Sequence, residues 1–270
     1  MRANNITISV PGKCTRKCPY CVSEMTFPVE VNFFRFKDKL PKLAALARRI
    51  QSTHILITGK GEPFDNLPAI MAVLDNFNDF WIEVQTHLTD FNLDQLSLLK
   101  YLDVLAISID NPDIFKLDRW SELASKSAPW IVRATVILST RFKMWDLLDF
   151  VWVCQRLGIR QLTIRQPSVP LTIEGTPESL KTMEWIKNNT DPNHFASLVE
   201  QLRNCYDTGK AVKVRDLNFG PSVYTIYGVS VTLIENCVES YSKDDEFRSL
   251  IYQGDGHLYT TWDSKGSILW

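Results

Sequence analysis

The reactive side chains of this chain gather near its start. Cys14, Cys18 and Cys21 stand in the run Cys14-Thr-Arg-Lys-Cys18-Pro-Tyr-Cys21, a C-x3-C-x2-C spacing. Three thiolates on one loop can ligate three irons of a 4Fe–4S cube and leave the fourth iron open. A small molecule can chelate at that open position and receive an electron. Lys13, Arg16 and Lys17 surround the thiols, and positive charge favours the thiolate form. Two other fates compete. Structural zinc wants four ligands, usually in paired C-x2-C knuckles. Cys154, Cys205, Cys237 and the four histidines are dispersed and share no such spacing. Disulfides belong mainly to secreted chains, and cysteines this close in sequence seldom meet bridge geometry.

The motif follows a short β-rich run, and the aromatic Tyr20 stands just before its last cysteine. In these features it resembles the signature of the radical S-adenosylmethionine superfamily. The resemblance implies that the open iron holds the methionine amine and carboxylate of S-adenosylmethionine. One-electron reduction then breaks a sulfur–carbon bond, and the 5′-deoxyadenosyl radical takes a hydrogen from the substrate. It implies two cofactors, a 4Fe–4S cluster and S-adenosyl-L-methionine. It also implies an external one-electron reductant, such as a flavodoxin or ferredoxin, and a small-molecule or peptide substrate. Residues 5–170 carry the resemblance.

Further positions fall in family order. Gly59-Lys60-Gly61-Glu62-Pro63 resembles the family's G-x-G-E-P element. Glycines let the backbone approach a cofactor closely, and a carboxylate such as Glu62 can accept a charge-assisted hydrogen bond from the methionine ammonium. The same residues also suit a plain strand-to-helix turn. Ser108 and Asp110 share one side of a strand, and the resemblance gives them the ribose or the methionine carboxylate. Asp110 before Asn111-Pro112 equally suits a turn. Gln85-Thr86 end another strand and can face the cofactor, whereas His87 reads as a surface residue. Arg133 interrupts an apolar run; a buried Arg needs an anion, and an edge Arg can snorkel. Arg165 and Gln166 carry the same ambiguity. The expected cofactor contacts are therefore Tyr20, Gly59, Gly61, Glu62, Pro63, Thr86, Ser108, Asp110 and Arg133, and the expected metal ligands are Cys14, Cys18 and Cys21. All are expected at the C-terminal ends of parallel strands, where α/β barrels build active sites.

These positions need a scaffold, and its pattern is legible. Asn5–Val10, His54–Thr58, Trp81–Thr86, Val104–Ile109, Ile131–Leu138 and Gln161–Arg165 read as strands. Helical stripes cover Lys39–Ile50, Leu67–Leu74 and Leu93–Leu99. Another is lined by Met144, Leu147, Leu148, Val151, Cys154 and Leu157, with Gly158 as its stop. Alternating strands and helices imply parallel pairing, and the strands read as near-continuous apolar runs. The expected fold is α/β: a partial (β/α)6 TIM-type barrel over residues 1–170, then a small C-terminal α+β cap over 171–270. In the cap, Pro177–Lys187 and Asn193–Tyr206 read as helices. Ala211–Val214, Val223–Tyr227 and Val229–Ile234 read as β-runs. A terminal hairpin is expected from Ser249–Gln253 and His257–Trp262 around Gly254-Asp255-Gly256. That turn resembles one found in radical enzymes with extra clusters, where cysteines follow it. None follows here, so no second cluster is expected, and Asp255 and His257 read as turn residues. Cys154, Cys205 and Cys237 read as buried thiols.

Composition narrows the partners. A chain of 270 residues fits one large α/β domain or one domain with an appendage. Its formal net charge of -1 provides no global field toward nucleic acid or an anionic membrane. The superfamily includes RNA modifiers, so nucleotide modification stays an alternative. A non-catalytic iron–sulfur or zinc regulatory module is the other, and the Gly-Lys-Gly-Glu-Pro element argues against it. The N-terminus lacks a charged start followed by an apolar run, and no apolar stretch reaches membrane-span length. A cytoplasmic chain without a membrane partner is expected.

Overall fold

The computed structural model describes residues 2–12, 14, 16–87, 101–124, 129–218, 220–235 and 246–270, with backbone alone at 242–243. The helix expected at Leu93–Leu99 and the buried thiol expected at Cys237 lie outside the described residues. The strands are β1 (Arg2–Val10), β2 (His54–Gly59), β3 (Trp81–Thr86), β4 (Val104–Ile109), β5 (Ile131–Ile137) and β6 (Gln161–Arg165), followed by β7 (Ala211–Asp216), β8 (Ser222–Ile226), β9 (Val229–Ile234), β10 (Ser242–Lys243), β11 (Glu246–Tyr252) and β12 (Leu258–Tyr259). The helices are α1 (Val22–Met25), α2 (Phe33–Arg49), α3 (Leu67–Asn76), α4 (Trp120–Leu123), α5 (Leu147–Arg156), α6 (Pro177–Asn189) and α7 (Pro192–Asp207). The fold is α/β with mostly parallel pairing. Among the described residues no helix is long and apolar enough to cross a membrane.

Two compact units divide the chain along different lines from residue 170. One comprises Met1–Val104, Val169–Trp185 and Val238–Trp270; the other comprises Leu105–Ser168 and Ile186–Cys237. Segments expected in a cap therefore belong to both units.

In the first unit the strand order is β10-β11-β1-β2-β3. β11, β1, β2 and β3 are parallel, and β10 and β12 run antiparallel to β11. Registration gives this sheet two unlike faces. Ile6 and Ile8 align with Ile55 and Ile57 on one side and with Leu250 and Tyr252 on the other, all fully buried. Ile55 and Ile57 align in turn with Ile82 and Val84. The Tyr252 hydroxyl donates to the Phe36 carbonyl of α2 at 2.7 Å, and the two rings stack. The alternate residues are largely polar: Asn5, Thr7 and Ser9 align with His54, Leu56 and Thr58. The expectation of apolar runs on both faces holds here for one face only. α2 begins earlier than Lys39 because the Asn32 side chain caps it, accepting from the Arg35 amide at 3.0 Å. It continues through Pro41, which forgoes one backbone hydrogen bond.

In the second unit β4, β5, β6, β9, β8 and β7 follow in that order. β5, β6 and β9 are parallel, and β8 and β7 return antiparallel. The α6 and α7 segments between β6 and β9 give the chain the length that a parallel return needs, so β9 extends the sheet. α5 starts at Leu147 under an Asp146–Asp149 capping box. Met144 precedes it and is 82% exposed, so it lies outside the stripe expected of it. Gly158 stops the helix at φ 75°, a conformation that favours glycine. Cys154 and Cys205 are buried as expected, and burial pushes the Cys154 thiol up to about 12.

Candidate cofactor site

Three neighbouring strand ends of the first unit carry the chemistry. β1 leads through Pro11 and Gly12 to the cysteine loop, β2 leads into Gly59–Pro63, and β3 ends at Thr86 and His87. Parallel pairing with Ile57 opposite Val84 brings the ends of β2 and β3 together. The Asn66 amide donates to the Pro11 carbonyl at 2.6 Å, and the Lys60 backbone N–H donates to Ser9 Oγ at 3.2 Å. These bonds tie the root of the cysteine loop to the glycine turn.

The glycine turn is tight. A Cβ at Gly59 would lie 3.0 Å from the Gly61 carbonyl oxygen, so a side chain there would force the turn open. Pro63 opens a short 3-10 turn, and Glu62 caps it by accepting from the Phe64 N–H at 3.3 Å. The Glu62 carboxyl is buried, at 5% exposure. Its Oε1 also accepts from the Thr86 hydroxyl at 2.7 Å, and its Oε2 accepts from the His87 N–H at 3.0 Å. Burial raises its pKa; the His87, Thr86 and Phe64 hydrogen bonds oppose that rise, and nearby Asp65 adds to it. A carboxylate has about four acceptor positions, so Oε2 keeps room for one more donor. An ammonium group is the donor that this arrangement suits best, because it would also relieve the charge.

Cys14 is exposed, Cys18 and Cys21 are half-buried, and none of the three is in a disulfide. Cys21 starts α1, with its N–H on the Cys18 carbonyl at 3.1 Å. Partial burial raises the Cys14 thiol pKa, the Arg16 amide lowers it, and Cys21, Glu62 and Asp65 raise it further. Those neighbours are acceptors or anions, which suits a cation between them. Among the described residues no three His, Cys, Asp or Glu side chains are gathered into a ready ligand set. By number, type and spacing the three thiols fit a cluster with an open iron. Tyr20 is half-buried, its ring 5.7 Å from that of Trp185.

Other expected contacts need restating. Thr86 uses its hydroxyl on Glu62, so it orients that carboxylate. His87 is half-buried, with Nε2 3.9 Å from Cys18 Sγ, which corrects its reading as a surface residue. Only the β2–β3 pairing could have disclosed this. Ser108 and Asp110 are buried at the end of β4 in the second unit, and the Asp110 carbonyl accepts from Arg141 at 3.5 Å. Arg133 is the third residue of β5, far from the strand's C-terminal end, and its Nε donates to Gln161 Oε1 at 2.9 Å. It departs from the strand-end rule expected of it. Arg165 and Gln166 follow that rule at the end of β6.

Sequence reasoning passed over two further groups. Lys60 Nζ donates to Thr26 Oγ1 at 3.0 Å and to the Phe27 carbonyl, and it sits 4.4 Å from the centre of the Phe27 ring. Gln253 follows β11 and is fully buried, and neither polar atom of its side-chain amide has a hydrogen-bond partner among the described residues. The turn after it forms as expected. Ile251 pairs with Tyr259, Asp255 accepts from the His257 N–H at 2.9 Å, and the Tyr259 hydroxyl donates to Asp255 at 2.7 Å.

The fold is similar to that of SuiB from Streptococcus suis. The structure of SuiB bound to S-adenosylmethionine matches with a TM-score of 0.62 at 16% identity, covering 95% of this chain and 60% of that one. SuiB bound to its precursor peptide SuiA matches at 0.62 and 14% identity, covering 95% and 59%. A third structure of SuiB matches at 0.58 and 14% identity, covering 95% and 60%. Identities this low speak for the fold alone, and the chain spans about three-fifths of SuiB's length. No protein-family model matches the sequence, and no curated protein does.

Proposed function

We propose that this chain is a radical S-adenosylmethionine enzyme that acts on a peptide or a small molecule, with its first six parallel strands forming a partial barrel. The observation that carries this reading is the buried Glu62 carboxylate. It is held by Thr86, His87 and Phe64 next to the root of a three-cysteine loop, with an acceptor position to spare. A bare metal scaffold has no use for such a group. Cys14, Cys18 and Cys21 would hold a 4Fe–4S cluster, and the bound cluster would supply the electron that cleaves S-adenosylmethionine. Glu62 would orient the methionine end by accepting a hydrogen bond from its amino group. Gly59 lets the backbone come close, and Pro63 sets the direction of the turn that presents Glu62. Ser108 and Asp110 are assigned the ribose or the methionine carboxylate, and Arg133 an anionic group. A peptide substrate gains weight from the likeness to SuiB, whose structure includes a bound precursor peptide.

The test is anaerobic reconstitution followed by S-adenosylmethionine and a strong reductant or reduced flavodoxin. About four irons per chain and release of 5′-deoxyadenosine are expected. Stoichiometric zinc without iron uptake would sink the reading.

A further inference from the structure

Lys60 is an unusual place for a lysine. It lies inside the glycine turn, between Gly59 and Gly61, and its side chain is half-buried. An ammonium that gives up part of its water needs an anion or several acceptors in its place. Among the described residues no carboxylate lies within ion-pair distance of it. Its acceptors are neutral: Thr26 Oγ1, the Phe27 carbonyl and the face of the Phe27 ring. That ring is itself packed with Ile251 and Tyr259. The charged groups that face it at longer range are Glu174, Cys21, Asp255 and Lys265. Burial pushes its pKa down to about 8, with Glu174, Cys21 and Asp255 opposing, so it remains mostly charged at neutral pH. Thr26 and Phe27 lie five and six residues beyond Cys21. Lys60 therefore ties the segment leaving the third cysteine to the turn that carries Glu62.

We propose that Lys60 is a positioning residue for the cluster: it clamps the segment after Cys21 to the glycine turn and sets a fixed positive charge near Cys21 that holds the cluster's reduction potential up. The inference rests on the cluster reading above. The physical argument is charge balance. Three thiolates and a cluster bring negative charge to a loop beside a half-buried cation that, among the described residues, has no carboxylate within ion-pair distance. One-electron reduction makes that charge more negative by one, so a nearby cation stabilises the reduced form more than the oxidised one. Hydrogen bonding alone would place the loop but would not favour either redox state.

The decisive measurement is a redox titration of the reconstituted protein, followed by the paramagnetic resonance signal of the reduced cluster. Parent, Lys60→Met and Lys60→Arg are compared, with iron content determined for each. Lys60→Met should keep most of its iron. At the parent's midpoint its ratio of reduced to oxidised cluster should fall about tenfold, which is about 59 mV for one electron. Lys60→Arg should stay within about threefold of the parent, since it keeps the charge. If Lys60→Met titrates with the parent at equal iron content, the proposal is wrong. If Lys60→Met cannot hold iron, Lys60→Arg decides. Iron retention with the parent's potential supports the charge role, and loss of iron there too reduces Lys60 to a packing residue and overturns it. A parent chain that takes up no iron is a different failure, because it removes the cluster reading itself.

Discussion

The cysteine loop and the glycine turn stand side by side, yet they are built to different degrees. On the loop, Cys14 is exposed, Cys18 and Cys21 are half-buried, and the thiols are not gathered. On the turn, every oxygen of Glu62 is already engaged by a donor from a fixed backbone or a buried hydroxyl. The difference follows from what each would hold. Metal–thiolate bonds are strong enough to draw loose ligands together and to release their protons. A hydrogen bond to an ammonium is worth far less, so its acceptor must be oriented in advance.

This contrast can be broken at the loop. Cys14→Ala, Cys18→Ala and Cys21→Ala should each abolish the cluster, read as loss of iron and of visible absorption after reconstitution. Cys154→Ala and Cys205→Ala should retain iron, although removing a buried thiol will cost stability. Iron loss in either of those two would mean that the ligand set is wrong.

At the turn, Glu62→Gln should leave iron content unchanged. A hydrogen bond to a charged group contributes about 1.5–3 kcal/mol, so S-adenosylmethionine affinity should fall roughly ten- to hundredfold. Parent-like binding by this variant would leave the glycine element as a turn and nothing more. Affinity in the parent should also depend on pH in one direction. Burial raises the Glu62 pKa, and the ionised form accepts from an ammonium more strongly than the neutral acid does. Binding should therefore strengthen as pH rises through that raised value, and Glu62→Gln should lack this dependence.

Gln253 sharpens the same contrast from β11. Its buried amide lacks partners among the described residues, and an unsatisfied buried polar group costs about 1–3 kcal/mol. Gln253→Met keeps the volume and removes both polar atoms. Without added ligands it should raise unfolding stability in urea by up to that amount. A loss of stability would show that the amide is satisfied by ordered water.

The smallest effect belongs to Thr86→Val. It removes a hydrogen bond that orients Glu62 without touching the cofactor itself, so affinity should fall only several-fold, about 1 kcal/mol. Because that bond favours the charged carboxylate, the pH midpoint of binding should move upward. An unchanged midpoint would separate Thr86 from Glu62.

Much of this molecule is legible in the chain itself. The C-x3-C-x2-C spacing depends on neighbours in sequence, as does the Gly59–Pro63 turn. The six strand positions and the α5 stripe follow from apolar periodicity. Gly254-Asp255-Gly256 marks its own hairpin. Pairing between distant strands is a different matter. β11 lies beside β1, and β9 beside β6, although a long stretch of chain separates each pair. No local pattern distinguishes such a strand from one in a separate cap. The partners of Glu62 were hidden for the same reason: Thr86 and His87 reach it because β3 runs parallel to β2 in one particular register. Lys60 reads as a solvated turn residue until the Phe27 ring and the Thr26 hydroxyl are found against it. Sequence determined which side chains can do chemistry, because their types and spacing are local. Tertiary structure decided which of them are buried, held and charged, because burial and hydrogen bonding depend on residues brought from elsewhere in the chain.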